Sequence, residues 1–314
     1  SDYIPIPAPP VFSSNTVTIT EASVGNSVEA SELGGDRDIL ITETFNERLR
    51  PSGLIGTAES PFRFKSESDV TRSWVGGSDL TTGQQAVGSL NGSDFNYFYH
   101  LGIQGHPSDA IGGISGFSWG ASTTGKTVKL SDIIIKNTSF AGLHLNTGVN
   151  TQFYTDLEFE FVRVIDHDIE GEAVYLGSTN KLNNFSLINH LRLYCFYGAN
   201  KGRDGLQLTH VLDAEVDKIT IHNVGVDNEG AQRNLIQIHN SNGYIKDGIF
   251  DGSPELLNNF THGFTFENCY FRWTATSMAL IGKLTGDATG SAFGPNAAAA
   301  NNEPIRFVRC VFDP

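Results

Sequence analysis

The sequence predicts an all-β solenoid, a single-stranded parallel β-helix, from three observations. A strand-like motif recurs at a nearly fixed spacing, each copy follows a second strand-like segment, and no stretch has the length and periodicity of an amphipathic helix. Chain length decides little, because a solenoid grows one coil at a time.

The recurring motif is Gly/Ala-apolar-x-apolar. It appears as Gly142-Leu143-His144-Leu145, Ala173-Val174-Tyr175-Leu176, Gly205-Leu206-Gln207-Leu208 and Leu235-Ile236-Gln237-Ile238. Its central apolar positions lie 31, 32 and 30 residues apart. The preceding segments are DIIIK (132–136), FEFVRV (159–164), LRLYCF (191–196) and KITIH (218–222), with Asn, Gly and Asp supplying turns between. FENCYF (266–271) and FVRCVF (307–312) repeat one pattern 41 residues apart and predict two more coils. Such a unit cannot cover its own apolar face, and stacking equivalent units as parallel strands does. The LxxLxL frame of leucine-rich repeats and the 8–12 residue hairpin spacing of a sandwich both fail to fit.

Residues 1–14, opening SDYIPIPAPPVF, are Pro-rich and read as an extended N-terminal tether of the kind that follows a lipidated cysteine. Residues 15–314 are expected to form the solenoid, best defined over 131–250. Segments within 17–74 read as its first coils, 75–127 is Gly/Ser-rich and hard to place, and 288–302 reads as an exposed loop. The end of the chain on a strand suggests further C-terminal coils.

A formal charge of −14 opposes nucleic acid and anionic lipid surfaces. No apolar span is long enough for a membrane helix. Three cysteines, Cys195, Cys269 and Cys310, each beside aromatic residues, read as buried core thiols and not as a disulfide framework. Gly120–Thr127 (GASTTGKT) matches the Gly-x4-Gly-Lys-Thr phosphate loop. That loop works only when a helix N-terminus follows, and the continuation VKLSDIII is strand-like, so no nucleotide site is expected.

With Leu143, Val174, Leu206 and Ile236 inward, alternation sends His144, Tyr175, Gln207 and Gln237 outward in one column, about 4.8 Å apart per coil. Asn146, Gly177, Thr209 and His239 form a second. The four coils span roughly 14 Å, the order of a few sugar residues. This predicts an exposed polar track for polysaccharide, with His144, Gln207, Gln237 and Arg233 in contact with it. Charge flanks the track: Glu172 before Tyr175, Lys201, Arg203 and Asp204 before Gln207, and Arg233 before Gln237. In a lyase, Ca2+ held by Glu172 and Asp204, or Arg203 itself, would neutralise a uronate carboxylate while Lys201, Tyr175 or His239 removed the α-proton. In a hydrolase, Glu172 and Asp204 would be the carboxylate pair. The same charges also read as salt bridges between coils, which leaves a non-enzymatic structural or adhesive solenoid as the alternative.

DHDIEGEAVYLGST (166–179), GRDGLQL (202–208) and QRNLIQI (232–238) resemble successive coils of the right-handed parallel β-helix proteins of Bacteroidetes, in the pectate-lyase-like superfamily. The pattern departs where Ala173 and Leu235 stand in place of glycines. The resemblance implies the right-handed form of the solenoid and an extracellular or outer-surface setting rich in glycans. It implies no particular activity, since such proteins include lyases, hydrolases and surface proteins without assigned chemistry.

Overall fold

The computed structural model describes residues 4–13, 16–20, 28–29, 33, 36–44, 46–88, 93–108, 111–120, 126–146, 153–167, 172–177, 187–200, 205–223, 236–239, 241–252, 261–273 and 306–313. Among these the chain is all-β without a helix. The strands form a 17-stranded sheet, a six-stranded sheet and a two-stranded one, and every register recorded between them is parallel, a pattern consistent with a parallel solenoid.

The larger sheet is organised by a stack of corners. Tyr99, Ser131, Glu160, Tyr194, Asp217, Lys246, Glu267 and Val308 are register partners in succession. The residue after each one (His100, Asp132, Phe161, Cys195, Lys218, Asp247, Asn268, Arg309) has a left-handed φ between 47° and 57°. A left-handed non-glycine residue costs about 1–2 kcal/mol, and the parallel ladders on both sides hold it in place. The strand segments expected from sequence are therefore bent: FEFVRV turns at Phe161, LRLYCF at Cys195, FENCYF at Asn268 and FVRCVF at Arg309, and DIIIK and KITIH begin at their corners, Asp132 and Lys218. Asp132 also ties the corner, accepting Arg72 Nη2 at 2.6 Å and lying 2.6 Å from His100 Nδ1.

On each side of a corner, alternate residues point inward. Val128, Leu130, Ile133 and Ile135 are buried in one repeat, and Leu157, Phe159, Val162 and Val164 in the next. Equivalent positions stack their rings. Phe64 lies on Phe98 (4.8 Å), Phe266 on Phe307 (5.1 Å) and Phe271 on Phe312 (5.0 Å), all close to parallel. The last two pairs are the ones that the FENCYF and FVRCVF repeats predict, and their strands are register partners. Each such pair contributes about 0.5–1.5 kcal/mol beyond burial.

Strands Thr16–Ile19, Asp38–Ile41 and Phe62–Ser66 pair in sequence order, as the early coils require. Strand Asn96–Gln104, within the Gly/Ser-rich stretch, continues the ladder from Phe62–Ser66 to Thr127–Lys136. There Trp74 lies against Gly102, where an added Cβ would collide with the indole. Of the cysteines, Cys269 is buried and burial pushes its thiol up to about 12, whereas Cys195 and Cys310 are only half-buried.

The Pro-rich N-terminal segment does not hang free. The Ser13 amide donates to Asp38 Oδ2 at 2.6 Å, and Phe12 lies under Arg63 and Lys65. Pro7 and Ala8 share a pocket with Tyr99, Lys129 and Glu160. Ile4 and Ile6 help to line a cavity of about 610 Å³ with Ile134, Phe161 and Tyr197. Residues 4–12 thus run crosswise over the strands. At about 3.1 Å per residue for an extended Pro-rich chain they cover roughly five repeats of about 4.8 Å.

Candidate functional site

The six-stranded sheet holds the recurring motif in the expected register. Leu143 pairs with Val174, Val174 with Leu206 and Leu206 with Ile236, so His144, Tyr175, Gln207 and Gln237 occupy one column. Asn146 pairs with Gly177, and Thr209 with His239. The inward leucines, valine and isoleucine are fully buried in the core. At the sheet's approach to its neighbour, a Cβ on Gly142 would collide with the Val164 methyls and lie 2.8 Å from the Ala173 carbonyl oxygen. Only glycine lets the two sheets come this close.

At Tyr175 and Gln207 the polar column is buried, contrary to the expectation of an open track, and His144 is half-buried. Tyr175 is 9% accessible, Gln207 5% and Thr209 0%. Alternation decides which face a side chain occupies and is silent on whether that face is covered. Here the side chains cover one another. His144 stacks on Tyr175, Phe140 meets His144 edge-on at 4.9 Å, and Gln207 Nε2 donates to Thr209 Oγ1 at 3.3 Å.

Burial lowers the His144 imidazole to about 4, so the ring is neutral at physiological pH. Ser115 Oγ lies 3.4 Å from Nδ1, and the buried Nε2 has no hydrogen-bond partner among the described residues. Glu172 is buried too. It opens strand Glu172–Gly177 beside Ala141. The group assembled here is an imidazole, a phenol, an amide and a hydroxyl, suited to hydrogen bonding and stacking with neutral polar ligands.

Lys201, Arg203, Asp204 and Arg233 lie outside the described residues, so the flanking charges and the Glu172/Asp204 pair expected to hold Ca2+ have no geometry to report. Gln237 and His239 are placed by strand register alone. The sequence reading missed Phe140 and Ser115. Phe140 lies two residues before the motif, whereas Ser115 comes from the previous repeat and meets His144 only through the stacking.

Most of the phosphate-loop match is also outside the described residues, but Lys126 is buried and Thr127 begins a ten-residue strand. A strand offers no cluster of free N-terminal amides for phosphate. No helix among the described residues is long and apolar enough to cross a membrane. Comparison of the chain with protein-family models, curated proteins and solved structures returned no match.

Proposed function

We propose that the chain is a right-handed, single-stranded parallel β-helix of a secreted or surface protein, and that its six-stranded sheet engages polysaccharide. The observation that carries this reading is the uneven distribution of connections. Each corner of the larger sheet turns on one left-handed residue, from His100 to Arg309. The connections on either side of the six-stranded sheet range from a single residue at 240 to the stretch 224–235. In solenoids, insertions that vary from repeat to repeat gather on one face, often the binding face. The His144, Tyr175 and Gln207 column would form the floor of that site, its groups pre-positioned by stacking, with Lys201, Arg203, Asp204 and Arg233 at its edges. Binding ranks ahead of chemistry, because burial makes His144 a weak base and no carboxylate pair is assembled among the described residues of this face. If a lyase reaction occurs, Glu172 with Asp204 is the pair that would hold Ca2+.

The test is a panel of alginate, pectate, chondroitin, carrageenan and neutral glycans with and without Ca2+, read by retardation in gels, new unsaturated ends and reducing ends. Retardation that is weakened by Tyr175→Ala supports a binding module at this face. Product formation lost in Glu172→Ala or Arg203→Ala would make it an enzyme. Silence across the panel sinks the polysaccharide reading.

A second reading, a structural or adhesive solenoid, draws on the outer face of the larger sheet. There the charges pair from repeat to repeat: Arg63 with Asp38 at 2.6 Å, Lys129 with Glu158 at 2.6 Å, and Arg192 with Glu160 at 2.9 Å. Paired charges leave few groups for a charged ligand and fasten neighbouring repeats together.

A further inference from the structure

The same outer face carries a histidine enclosed by carboxylates. Asp156 and His190 are register partners, and Leu191 pairs with Ala214, which places Asp213 one repeat further along. Glu215, two residues on, shares the face of Asp213. One ligand atom each from His190, Asp213 and Glu215 lies within 4.8 Å of the others.

Asp156 Oδ1 sits 2.6 Å from His190 Nδ1. A carboxylate at that distance holds the ring proton on Nδ1 and leaves the Nε2 lone pair free, the arrangement by which an outer carboxylate orients a metal-binding histidine. Nε2 faces Glu215 Oε2 at 4.0 Å, too long for a hydrogen bond and wide enough for an ion between them. One further observation fits. Gly243 pairs with Ala214, so Asn242 follows Asp213 in the stack, and its buried Oδ1 has no hydrogen-bond partner among the described residues.

We propose that His190, Asp213 and Glu215 bind a divalent transition-metal ion, with Asp156 as the positioning residue for the imidazole. The nitrogen donor disfavours Ca2+ and Mg2+, and one imidazole with two carboxylates suits Zn2+. Zinc bonds of about 2.0–2.2 Å require the ligand atoms to draw in by about an ångström, which exposed Asp213 and half-buried Glu215 permit. Arg192 is the competitor, but its contact with Glu215 is 3.8 Å while its bond to Glu160 is 2.9 Å. The remaining coordination position opens to water. This site is independent of any glycan bound at the six-stranded sheet.

The chelator-stripped chain is titrated with Zn2+ against a chromophoric chelator, and its melting temperature is followed with and without Zn2+. The expected result is one equivalent bound and a raised melting temperature, both lost in His190→Ala. Glu215→Gln serves as the second variant should His190→Ala fail to fold. Asp156→Asn weakens binding about 10–100-fold. Its melting temperature without Zn2+ stays close to that of the wild type, whereas a merely structural role would lower it with or without the ion. Absence of one-equivalent binding in the wild type, or equal binding in the folded variants, overturns the proposal and marks the group as ordinary acidic surface.

Discussion

His144 lies face to face with Tyr175 of the next repeat, ring centroids 5.3 Å apart and planes 20° from parallel. The contact joins two residues 31 positions apart in sequence, and it covers one face of each ring in a column expected to face solvent.

Burial holds the His144 imidazole at about 4, against 6.5 when unfolded. Between these values the unfolded chain binds the extra proton, so the stability present above pH 6.5 is lost as pH falls towards 4. The shift corresponds to at most about 3 kcal/mol. Urea midpoints measured from pH 7.5 to pH 4 should fall less steeply in His144→Gln than in the wild type. Equal slopes would assign the acid sensitivity to other groups.

Asp132 binds Arg72 and His100 at a largely buried corner. Asp132→Ala removes the carboxylate beside the Arg72 guanidinium, which keeps only the Asp132 backbone carbonyl, and breaking such a pair costs up to about 3–5 kcal/mol. Adding Arg72→Ala to Asp132→Ala should cost less than the sum of the two single changes, as measured by chemical denaturation.

Cys195 is left-handed at φ 51°. Asparagine visits that region at lower cost, so Cys195→Asn should stabilise the chain by about 0.5–1 kcal/mol. A lower urea midpoint would show that packing of the thiol outweighs the backbone gain.

Gly142→Val places methyl groups where those of Val164 already stand. Overpacking of this kind costs about 1–3 kcal/mol. Amide exchange should speed up first in strands Ala141–Asn146 and Glu172–Gly177, which are hydrogen-bonded register partners. Unchanged exchange there would mean that the sheets can part without strain.

Much of the candidate site was legible as a register. The spacing of Leu143, Val174, Leu206 and Ile236 places His144, Tyr175 and Gln207 in one column because parallel strands of equal repeats must align equivalent residues. The corners at Phe161 and Cys195 were not legible. Residue type signals a left-handed backbone for Asn, Asp and Gly, but a phenylalanine or cysteine adopts it only when flanking ladders on both sides compel it. Gly142 announced itself as part of a motif, whereas its reason, the approach of Val164, depends on a partner 22 positions away.

The sequence by itself determined the all-β repeat, the inward stripe and the equivalence of FENCYF (266–271) with FVRCVF (307–312). Those follow from periodicity, which any stacking of equivalent units preserves. Tertiary structure alone decided that Tyr175 and Gln207 are covered, that the Pro-rich segment lies across the larger sheet, and that His190 stands between Asp156 and Asp213. Coverage and clustering are set by what the stack brings to each position from tens of residues away, and that information does not reside in any local pattern.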